Sequence, residues 1–223
     1  MRVCIIIPAY NESAAIGGII EQIRRQGLEV VVVDDGSCDN TALISENSGA
    51  IVLRNAINQG KGFSLIRGLI HAIDENYDAV ITMDGDGQHS PEDICRFIQE
   101  AESSGAGIII GNRMRSTTQM PLIRILTNKF MSLFISKLIK QNVSDTQCGF
   151  RLIKIDLLKK IRFTTQRFET ESEILFQASK LGYRIKSIPI KTIYSKEKSQ
   201  INPFLDTVRF CSFIWRQIWT TRS

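Results

Sequence analysis

The sequence has few of the residues that build thiol or imidazole metal centres. It contains two histidines in 223 residues, and its five cysteines are widely spaced, with no pair in a C-x-x-C arrangement. Scattered cysteines in odd number are typical of reduced thiols in the cytosol and argue against a zinc site. The scarcity of histidine argues equally against a histidine-based metal site.

Long apolar runs are absent as well. No segment approaches the roughly 18 uninterrupted apolar residues of a membrane-spanning helix, and the run at residues 3–7 is too short for a signal peptide. Apolar residues make up 43% of the chain and charged residues 23%, the proportions of a soluble globular protein. The length suffices for one ordinary core, or for one core with an appendage.

The net charge of +5 conceals opposite charges in the two halves. Residues 1–110 contain 7 Lys and Arg against 16 Asp and Glu, a balance of −9, whereas residues 111–223 contain 21 against 7, a balance of +14. This asymmetry favours an anionic partner for the second half. Nucleic acid, phospholipid headgroups and a phosphorylated substrate all qualify, and a merely solvated basic face is the alternative.

The first half alternates apolar runs with amphipathic segments, which predicts an α/β fold with a mostly parallel central sheet and helices on both faces. Near-continuous apolar runs are expected of parallel strands, because these are buried on both sides. Strands are predicted at residues 2–7, 29–33, 50–53, 79–83 and 107–111, and helices at residues 12–25, 40–47, 62–74 and 91–103.

In the second half, bulky apolar residues are mixed with Lys and Arg. Neither an internal repeat nor a linker is visible, so we expect one domain over residues 1–223 with a basic amphipathic C-terminal elaboration. Helices are predicted at residues 122–140, 171–181 and 203–219, and strands at residues 149–155 and 184–193.

The most informative segment is the loop MDGDGQH at residues 83–89, which follows a predicted buried strand. In open α/β sheets, ligands bind at the carboxyl ends of the strands. Side chains two apart on an extended chain point the same way, so Asp84 and Asp86 are expected to share one cation. Their hard oxygen ligands suit Mg²⁺ or Mn²⁺, although Asp and Gly are also ordinary turn residues.

Other predicted loops at this edge also carry polar residues. Asp34 and Asp35 follow the second strand, where adjacent acids repel unless a ligand or a hydrogen-bond donor uses them; such an acid can accept from a base N–H or a ribose hydroxyl. Asp39 is expected to cap a helix. Lys61 lies in a glycine-flanked loop without P-loop spacing, and is either a ligand contact or an ordinary helix-start residue.

Several motifs, taken together and in order, resemble a known family. Residues 7–12 (IPAYNE), 34–41 (DDGSCDNT), 83–89 (MDGDGQH) and 91–93 (PED) look like the signatures of family 2 glycosyltransferases. Residues 111–113 (GNR) and 145–151 (DTQCGFR) further resemble the branch that contains dolichyl-phosphate mannose synthase and bacterial polyprenyl-phosphate glycosyltransferases. The Q-x-x-R-W signature is missing, which argues against a chain-polymerising synthase.

The resemblance implies a GT-A fold, a nucleotide-sugar donor (a GDP- or UDP-sugar), a Mg²⁺ or Mn²⁺ ion and inversion at the anomeric carbon. Residues 1–111 would hold donor and metal, and residues 112–223 the acceptor. The implied donor-binding residues are Pro8, Tyr10, Glu12, Asp34, Asp35, Lys61 and Asp84. The implied metal ligands are Asp84, Asp86 and Gln88, unless Gln88 only orients the loop. The implied catalytic residues are Asp84, Asp86 and Arg113.

The same resemblance implies that the phosphate of a polyprenyl phosphate acceptor is bound by Arg113, Arg124 and Asn128. It also implies a lid carrying Lys191, Lys196 and Lys198, where dolichyl-phosphate mannose synthases have an arginine. A phosphomonoester, with a second pKa of about 6, is already anionic near neutral pH and needs no general base.

A sugar hydroxyl is the alternative acceptor, as in cell-surface polysaccharide synthesis. It would require a base, and Glu169 or Glu171 could serve; both could equally be first-turn acids of a helix. A nucleotide-binding module without catalysis is a third hypothesis, against which the Asp84 and Asp86 pair argues. Nucleic-acid binding is a fourth, and no recognisable nucleic-acid motif supports it.

The helices predicted at residues 122–140 and 203–219 have the composition of helices that lie in a bilayer interface. Packing of both helices on the core is the alternative. We expect peripheral attachment at the cytoplasmic face of the membrane, where anionic lipid attracts the basic half. In the second helix, the residues suited to this role are Arg209, Trp215, Arg216 and Trp219.

Overall fold

The computed structural model describes residues 1–115, 122–167, 169–191 and 193. The strands are β1 (Val3–Ala9), β2 (Glu29–Asp34), β3 (Ile51–Arg54), β4 (Ala79–Thr82), β5 (Ile108–Asn112), β6 (Arg151–Lys154) and β7 (Ile185–Pro189). The helices are α1 (Ile16–Arg24), α2 (Thr41–Asn47), α3 (Lys61–Asp74), α4 (Ile94–Ser104), α5 (Leu122–Ile139), α6 (Ile155–Leu158) and α7 (Glu169–Lys180), with single 3₁₀ turns at Pro91–Asp93 and Arg113–Arg115.

The strands form one sheet in the order β3-β2-β1-β4-β6-β5-β7. Strand β6 is antiparallel to its neighbours β4 and β5, and the other neighbouring pairs are parallel. Residues 4–7 of β1 are all fully buried, which requires cover on both faces of the sheet. The predicted mostly parallel α/β sheet is confirmed.

The reversed direction of β6 decides which loops meet. Thr82, at the end of β4, is paired with Arg151, at the start of β6. The Thr82 hydroxyl donates to the carbonyl of Gly149 over 2.7 Å. The loop before β6 therefore lies at the same edge of the sheet as the loop after β4.

The helices pack through the apolar faces that their periodicity predicts. In α1 the buried residues are Ile16, Ile19, Ile20 and Ile23, and these join the apolar cluster around the sheet. Helix α3 approaches β1 so closely that a Cβ atom on Gly68 would lie 2.5 Å from Cγ2 of Ile6. Only a glycine permits this contact.

Several predicted boundaries are wrong. Helix α1 begins at Ile16 rather than residue 12, because the Glu12 carbonyl first closes a turn with the N–H of Ala15. Strand β6 is four residues long, since Ile155 begins the short helix α6, which an apolar run alone cannot distinguish from a strand. Strand β7 ends at Pro189. The helix predicted at residues 203–219 lies outside the described residues.

Within the described ranges, no helix is both long and apolar enough to cross a membrane. Four cysteines fall in those ranges, and all four are free thiols.

Candidate active site

Three neighbouring strands supply most of the site. Strands β1, β2 and β4 lie side by side and run in the same direction, so the loops that follow them meet at one edge. The first two loops are joined directly. The Asn11 N–H donates to the Ser37 hydroxyl, and the Cys38 N–H donates to Oδ1 of Asn11, both over 2.9 Å.

The predicted donor-binding residues of the first loop lie at this junction. Pro8, Tyr10 and Glu12 are half-buried, and the Glu12 N–H donates to the Thr41 hydroxyl over 2.8 Å. Asp39 accepts the N–H of Thr41 over 2.9 Å, at the start of α2. Asp39 therefore satisfies an N–H at the start of α2, as a structural residue, although the N-cap position itself belongs to Asn40.

The two acids at the end of β2 are both buried but have different surroundings. Oδ2 of Asp34 accepts no hydrogen bond from the described residues, although Nε of Arg54 lies 3.5 Å away. Asp35 accepts hydrogen bonds from the loop that leads to Lys61. Its carboxylate is thus engaged by donors within the protein. Its donors are Nδ2 of Asn55 (2.7 Å), the N–H of Gln59 (2.9 Å) and the N–H of Gly60 (2.7 Å).

Lys61, the first residue of α3, lies between two carboxylates. Its ammonium is 2.6 Å from Oδ1 of Asp84 and 2.8 Å from Oε1 of Glu171. The other oxygen of Glu171 lies 3.3 Å from Nη2 of Arg151, whose side chain is 1% exposed. Alternating charges thus join the start of α3, the loop after β4, the first turn of α7 and the start of β6.

His89 and Gly149 enclose the other oxygen of Asp84. Nε2 of His89 lies 3.5 Å from Oδ2 of Asp84, and the buried imidazole packs against Phe150 with ring centroids 5.3 Å apart. A Cβ atom on Gly149 would lie 2.8 Å from Oδ2 of Asp84, which is closer than real Cβ contacts. The carboxylate is therefore confined on both sides.

The neighbours of Asp84 favour its ionised form. Burial alone would raise the pKa of Asp84, but the Lys61 ammonium and the His89 imidazole hold that pKa well below its usual value. Burial also opposes the charge of Lys61, yet Asp84 and Glu171 raise the pKa of Lys61 above its usual value. Asp86 differs, because burial and the negative charge of Asp84 both raise its pKa.

The expectation that the side chains of Asp84 and Asp86 point the same way assumes an extended chain. Asp86 lies in a turn, so that expectation is wrong here. Gly87 has a φ of 74°, which favours glycine, and the Gln88 N–H donates to Oδ1 of Asp86 over 3.0 Å. The Gln88 carbonyl accepts the N–H of Ile193 over 2.9 Å. Gln88 thus shapes the loop through its backbone.

The residues of this loop fit a divalent metal ion that has few protein ligands. Asp84 and Asp86 offer hard carboxylate oxygens, and a cation would offset both the burial and the Asp84 charge that raise the pKa of Asp86. In the part of the chain that the structure describes, no group of three or more His, Cys, Asp and Glu side chains could hold a metal. Phosphate, amide or water oxygens would therefore have to complete the coordination of Mg²⁺ or Mn²⁺.

Arg113 forms a buried bidentate pair with Asp145. Its Nε lies 2.8 Å from Oδ2 and its Nη2 lies 3.0 Å from Oδ1. Burial opposes the charge, but Cys148, Asp145 and Asp84 together raise the pKa of Arg113 above its usual value. Burial also raises the pKa of the Cys148 thiol to about 12, so this thiol stays protonated at neutral pH.

Helix α5 passes beside this pair. The Ser132 hydroxyl accepts the N–H of Thr146, the residue after Asp145, over 2.9 Å. Asn128 is 8% exposed and lies about one turn before Ser132 on the same side of α5. Arg124 belongs to the same helix, but its side chain lies outside the described structure. The predicted role of these residues in binding the acceptor phosphate stays a prediction.

The segment after β7 runs beside the Asp84 loop. The Lys191 N–H donates to Oδ2 of Asp93 over 2.9 Å, and the Lys191 ammonium lies 3.6 Å from the exposed Glu92. The other two predicted lid residues, Lys196 and Lys198, lie outside the described residues. The lid therefore stays a prediction.

Three residues that shape this site have no role in the sequence analysis, namely His89, Gly149 and Arg151. All three belong to motifs that were recognised, but their roles depend on contacts with other elements. A glycine within a predicted strand was the available signal for Gly149, since such a glycine often marks a close approach. No local signal distinguishes Arg151 from a surface arginine.

The fold is the GT-A fold of nucleotide-sugar transferases. One structure with this fold is glucosyl-3-phosphoglycerate synthase from Mycobacterium tuberculosis, in complex with Mn²⁺, UDP and glucosyl-3-phosphoglycerate. It matches with a TM-score of 0.74 at 19% identity, over 96% of this chain and 79% of that one. At this identity the similarity concerns the fold alone.

Sequence comparison defines the family. The model of glycosyl transferase family 2 matches residues 4–162, so the chain belongs to glycosyl transferase family 2 and is a glycosyltransferase. The UDP-N-acetylglucosamine--dolichyl-phosphate N-acetylglucosaminyltransferase of Methanococcus voltae is 31% identical, over 86% of each chain. The undecaprenyl-phosphate mannosyltransferase of Micrococcus luteus is 29% identical, over 85% of this chain and 83% of that one.

Proposed function

We propose that this glycosyltransferase moves a sugar from a nucleotide-sugar donor to a polyprenyl phosphate, with inversion at the anomeric carbon. The position of Glu171 carries the proposal. One oxygen of this carboxylate lies 2.8 Å from Lys61 and the other 3.3 Å from Arg151. Both carboxylate oxygens are therefore already occupied by cations, which leaves neither of them free to take a proton from a hydroxyl acceptor. A phosphate acceptor needs no base, since it is already anionic.

The names of two relatives support the acceptor class. One transfers N-acetylglucosamine from its UDP derivative to dolichyl phosphate, and the other is a mannosyltransferase for undecaprenyl phosphate. The two relatives transfer different sugars but share a polyprenyl phosphate acceptor. We therefore propose that acceptor class for this chain, with a UDP- or GDP-sugar as the donor.

In the proposed reaction, an acceptor phosphate oxygen bonds to the anomeric carbon as the bond from that carbon to the donor β-phosphate breaks. The electron pair of the broken bond leaves with the nucleoside diphosphate. A Mg²⁺ or Mn²⁺ ion held by Asp84 and Asp86, with Gln88 as a further oxygen ligand, would neutralise that charge as a Lewis acid. No proton is transferred, so positioning and charge stabilisation supply the rate enhancement.

The remaining site residues receive roles consistent with their positions. We assign Pro8, Tyr10, Glu12, Asp34 and Asp35 to the donor corner, where the first two loops meet. Asp35 acts there indirectly, because its hydrogen bonds to Gln59 and Gly60 fix the loop that leads to Lys61. We assign Arg113, Arg124 and Asn128 to the acceptor phosphate. The carboxylate of Asp145 orients Arg113, whose planar guanidinium suits a phosphate.

We also propose that one face of α5 contacts the membrane surface that holds the acceptor. Five large apolar side chains on this helix are between 64% and 77% exposed, which is unusual for a soluble surface. Lys129 and Lys137 are exposed on the same helix and suit anionic headgroups. The five apolar residues, which we call the α5 stripe, are Leu122, Ile123, Leu126, Phe130 and Leu133.

The test of the proposed reaction supplies purified protein with Mg²⁺ or Mn²⁺, a panel of UDP- and GDP-sugars, and a short polyprenyl phosphate. The matched control acceptor is the polyprenol of equal length without phosphate. We expect a metal-dependent lipid-linked sugar with the phosphate and none with the free alcohol. Transfer to sugar hydroxyls but not to the lipid phosphate would contradict the proposal.

Glutamine substitutions at Glu169 and Glu171 separate the two acceptor classes further. At saturating metal, transfer to a lipid phosphate should survive both substitutions, because neither residue accepts a proton in the proposed reaction. A hydroxyl acceptor would lose its base and with it most of the rate, by about 100-fold or more.

A further inference from the structure

We propose that Lys61 is a built-in counter-ion of Asp84 which a divalent metal ion must displace, and that Glu171 is the positioning residue that draws Lys61 aside. This inference rests on the proposed metal role of Asp84. It adds that the Lys61–Glu171 pair, rather than the carboxylates alone, sets the metal affinity in the absence of donor.

The contacts of Asp84 are the first step. The Lys61 ammonium lies 2.6 Å from Oδ1, while Oδ2 is enclosed by His89 at 3.5 Å and by the backbone of Gly149. A metal ion that approaches Asp84 therefore meets an oxygen already in use. Of these three neighbours, the lysine is the one with a flexible four-carbon stem, so it is the one able to move.

Glu171 offers the displaced ammonium another anion. Its Oε1 is 2.8 Å from the Lys61 ammonium in the present arrangement, so a shift away from Asp84 leaves one ion pair intact. Without Glu171, the ammonium would keep only Asp84 as a close anionic partner among the described residues, and would compete with the metal more strongly. The exposed fraction of the lysine side chain is 28%, which limits water as a substitute partner.

Arg151 holds Glu171 in this position. The guanidinium lies 3.3 Å from Oε2 of Glu171, and three backbone carbonyls fix it. These carbonyls belong to Cys148 (2.7 Å), Thr146 (2.9 Å) and Glu171 itself (2.6 Å). Since four hydrogen bonds hold the guanidinium, Glu171 is anchored by Arg151 and cannot follow the lysine.

The backbone of Lys61 is also fixed, so that only its side chain can move. Gly62 packs against the segment before α7 so tightly that a Cβ atom there would lie 2.3 Å from the carbonyl oxygen of Arg167. The first turn of α3 is therefore held against the chain that leads to Glu171. The Lys61 side chain can therefore shift from Asp84 towards Glu171 while the surrounding backbone stays in place.

This arrangement couples metal and donor. Metal alone must break the Lys61–Asp84 pair, whereas a donor diphosphate supplies negative charge for both the metal and the released ammonium. The metal should consequently bind more tightly when nucleoside diphosphate is present, and the reverse must hold by thermodynamic linkage.

The experiment is a titration with Mn²⁺, in which the electron paramagnetic resonance signal of free Mn²⁺ reports binding. It is run without nucleotide and again with saturating UDP or GDP. The variants are Lys61→Met, Glu171→Gln and the double variant, with Asp84→Asn as the site control. Lys186→Met is the matched charge control, because Lys186 pairs with Glu100 over 2.7 Å on another part of the sheet and is 37% exposed.

We expect Lys61→Met to tighten Mn²⁺ binding without nucleotide by about tenfold or more, the effect of removing one close opposite charge. Glu171→Gln should weaken binding several-fold, in the opposite direction. In the Lys61→Met background, Glu171→Gln should change the affinity by less than about twofold, because its influence acts through the lysine. Lys186→Met should match the parent protein.

An unchanged or weaker Mn²⁺ affinity in Lys61→Met overturns the inference, as does an equal effect of Glu171→Gln in both backgrounds. Lys61→Met alone suffices if the Glu171 variant fails to fold. The outcomes also separate this inference from the proposed function. If Asp84→Asn abolishes binding and Lys61→Met does not tighten it, only the counter-ion role fails. If Asp84→Asn leaves Mn²⁺ binding intact, the metal site itself is wrong.

Discussion

Gly149 lies directly against the carboxylate of Asp84: a Cβ atom at residue 149 would lie 2.8 Å from Oδ2 and 2.9 Å from Oδ1. Even an alanine must displace that carboxylate. We expect Gly149→Ala to lower kcat by about 100-fold, the cost of a misplacement of about 1 Å at a reacting centre. Initial rates of sugar transfer check this prediction.

Gly18→Ala is the matched control for this substitution. Gly18 lies within α1, and a Cβ atom there would meet nothing within 4 Å. We expect its activity to equal that of the parent, with stability unchanged or raised by up to about 1 kcal/mol. Normal activity in Gly149→Ala would contradict the view that Gly149 is required to place Asp84.

Asp86→Asn should separate metal chemistry from nucleotide binding. The asparagine oxygen can still accept the Gln88 N–H, which in the parent donates to Asp86 Oδ1 over 3.0 Å, so the turn should persist. Because the variant loses a charged metal ligand, we expect metal-dependent turnover to fall by about 100-fold or more. Nucleotide affinity without metal, measured by calorimetry, should stay within about threefold of the parent. Full turnover in the variant would remove Asp86 from the metal site.

Asp145→Asn should destabilise the fold. It leaves the guanidinium of Arg113, now 2.8 Å from Oδ2 of Asp145 and largely buried, without its counter-charge. We expect the free energy of unfolding to fall by about 3–5 kcal/mol, as when one partner of a buried ion pair is removed. Urea unfolding measures it. Glu92→Gln removes an acid from an exposed pair with Lys191, and we expect it to change stability by no more than about 0.5 kcal/mol.

Asp39 should contribute stability that depends on pH. Burial would raise its pKa, but hydrogen bonds from Thr41 and Ser13 lower the pKa to about 2, from an ordinary 3.8. Since the folded-state pKa is the lower one, the contribution is complete above about pH 4 and is lost as the pH falls towards 2. We expect Asp39→Ala to cost about 1 kcal/mol at pH 7. The difference from the parent should shrink in urea titrations between pH 4 and pH 2.5. A constant difference would mean that the carboxylate charge is not involved.

The α5 stripe should carry membrane binding. We expect the protein to sediment with anionic vesicles at low salt, through both apolar contact and charge. Replacing Leu126, Phe130 and Leu133 by serine should abolish sedimentation and leave the free energy of unfolding nearly unchanged, because these side chains are exposed. The control replaces Leu43, an equally apolar exposed residue of α2, by serine. Sedimentation of the triple variant would mean that other parts of the chain bind lipid.

Much of the sheet could be predicted because its signals are local. The continuous apolar runs of β1, β2 and β4 are fully or almost fully buried, as parallel strands require. The isoleucine stripe of α1 has the helical period. Residues 84–89 follow a strand end, so the position of the Asp84 loop at the ligand-binding edge followed from chain order alone.

Where local sequence patterns fitted two structures, or carried no information, the predicted element or contact was wrong or missing. The run from Arg151 to Leu158 contains both a strand and a short helix, and its apolar residues suit either. The alternation rule failed at Asp86 because the chain turns at Gly87. Glu171 was recognised as an acid at a helix start, but its two cationic partners lie far away in sequence.

The sequence by itself determined the elements, their order and the loops that carry the carboxylates, because apolar periodicity and turn residues act within a few positions of the chain. The tertiary structure decided what those carboxylates contact. The antiparallel direction of β6 brings Gly149 and Arg151 to the edge where β4 ends, and the packing of α3 against α7 places Lys61 between Asp84 and Glu171. Strand direction and helix packing depend on the balance of contacts over the whole core, which no local pattern of residues records.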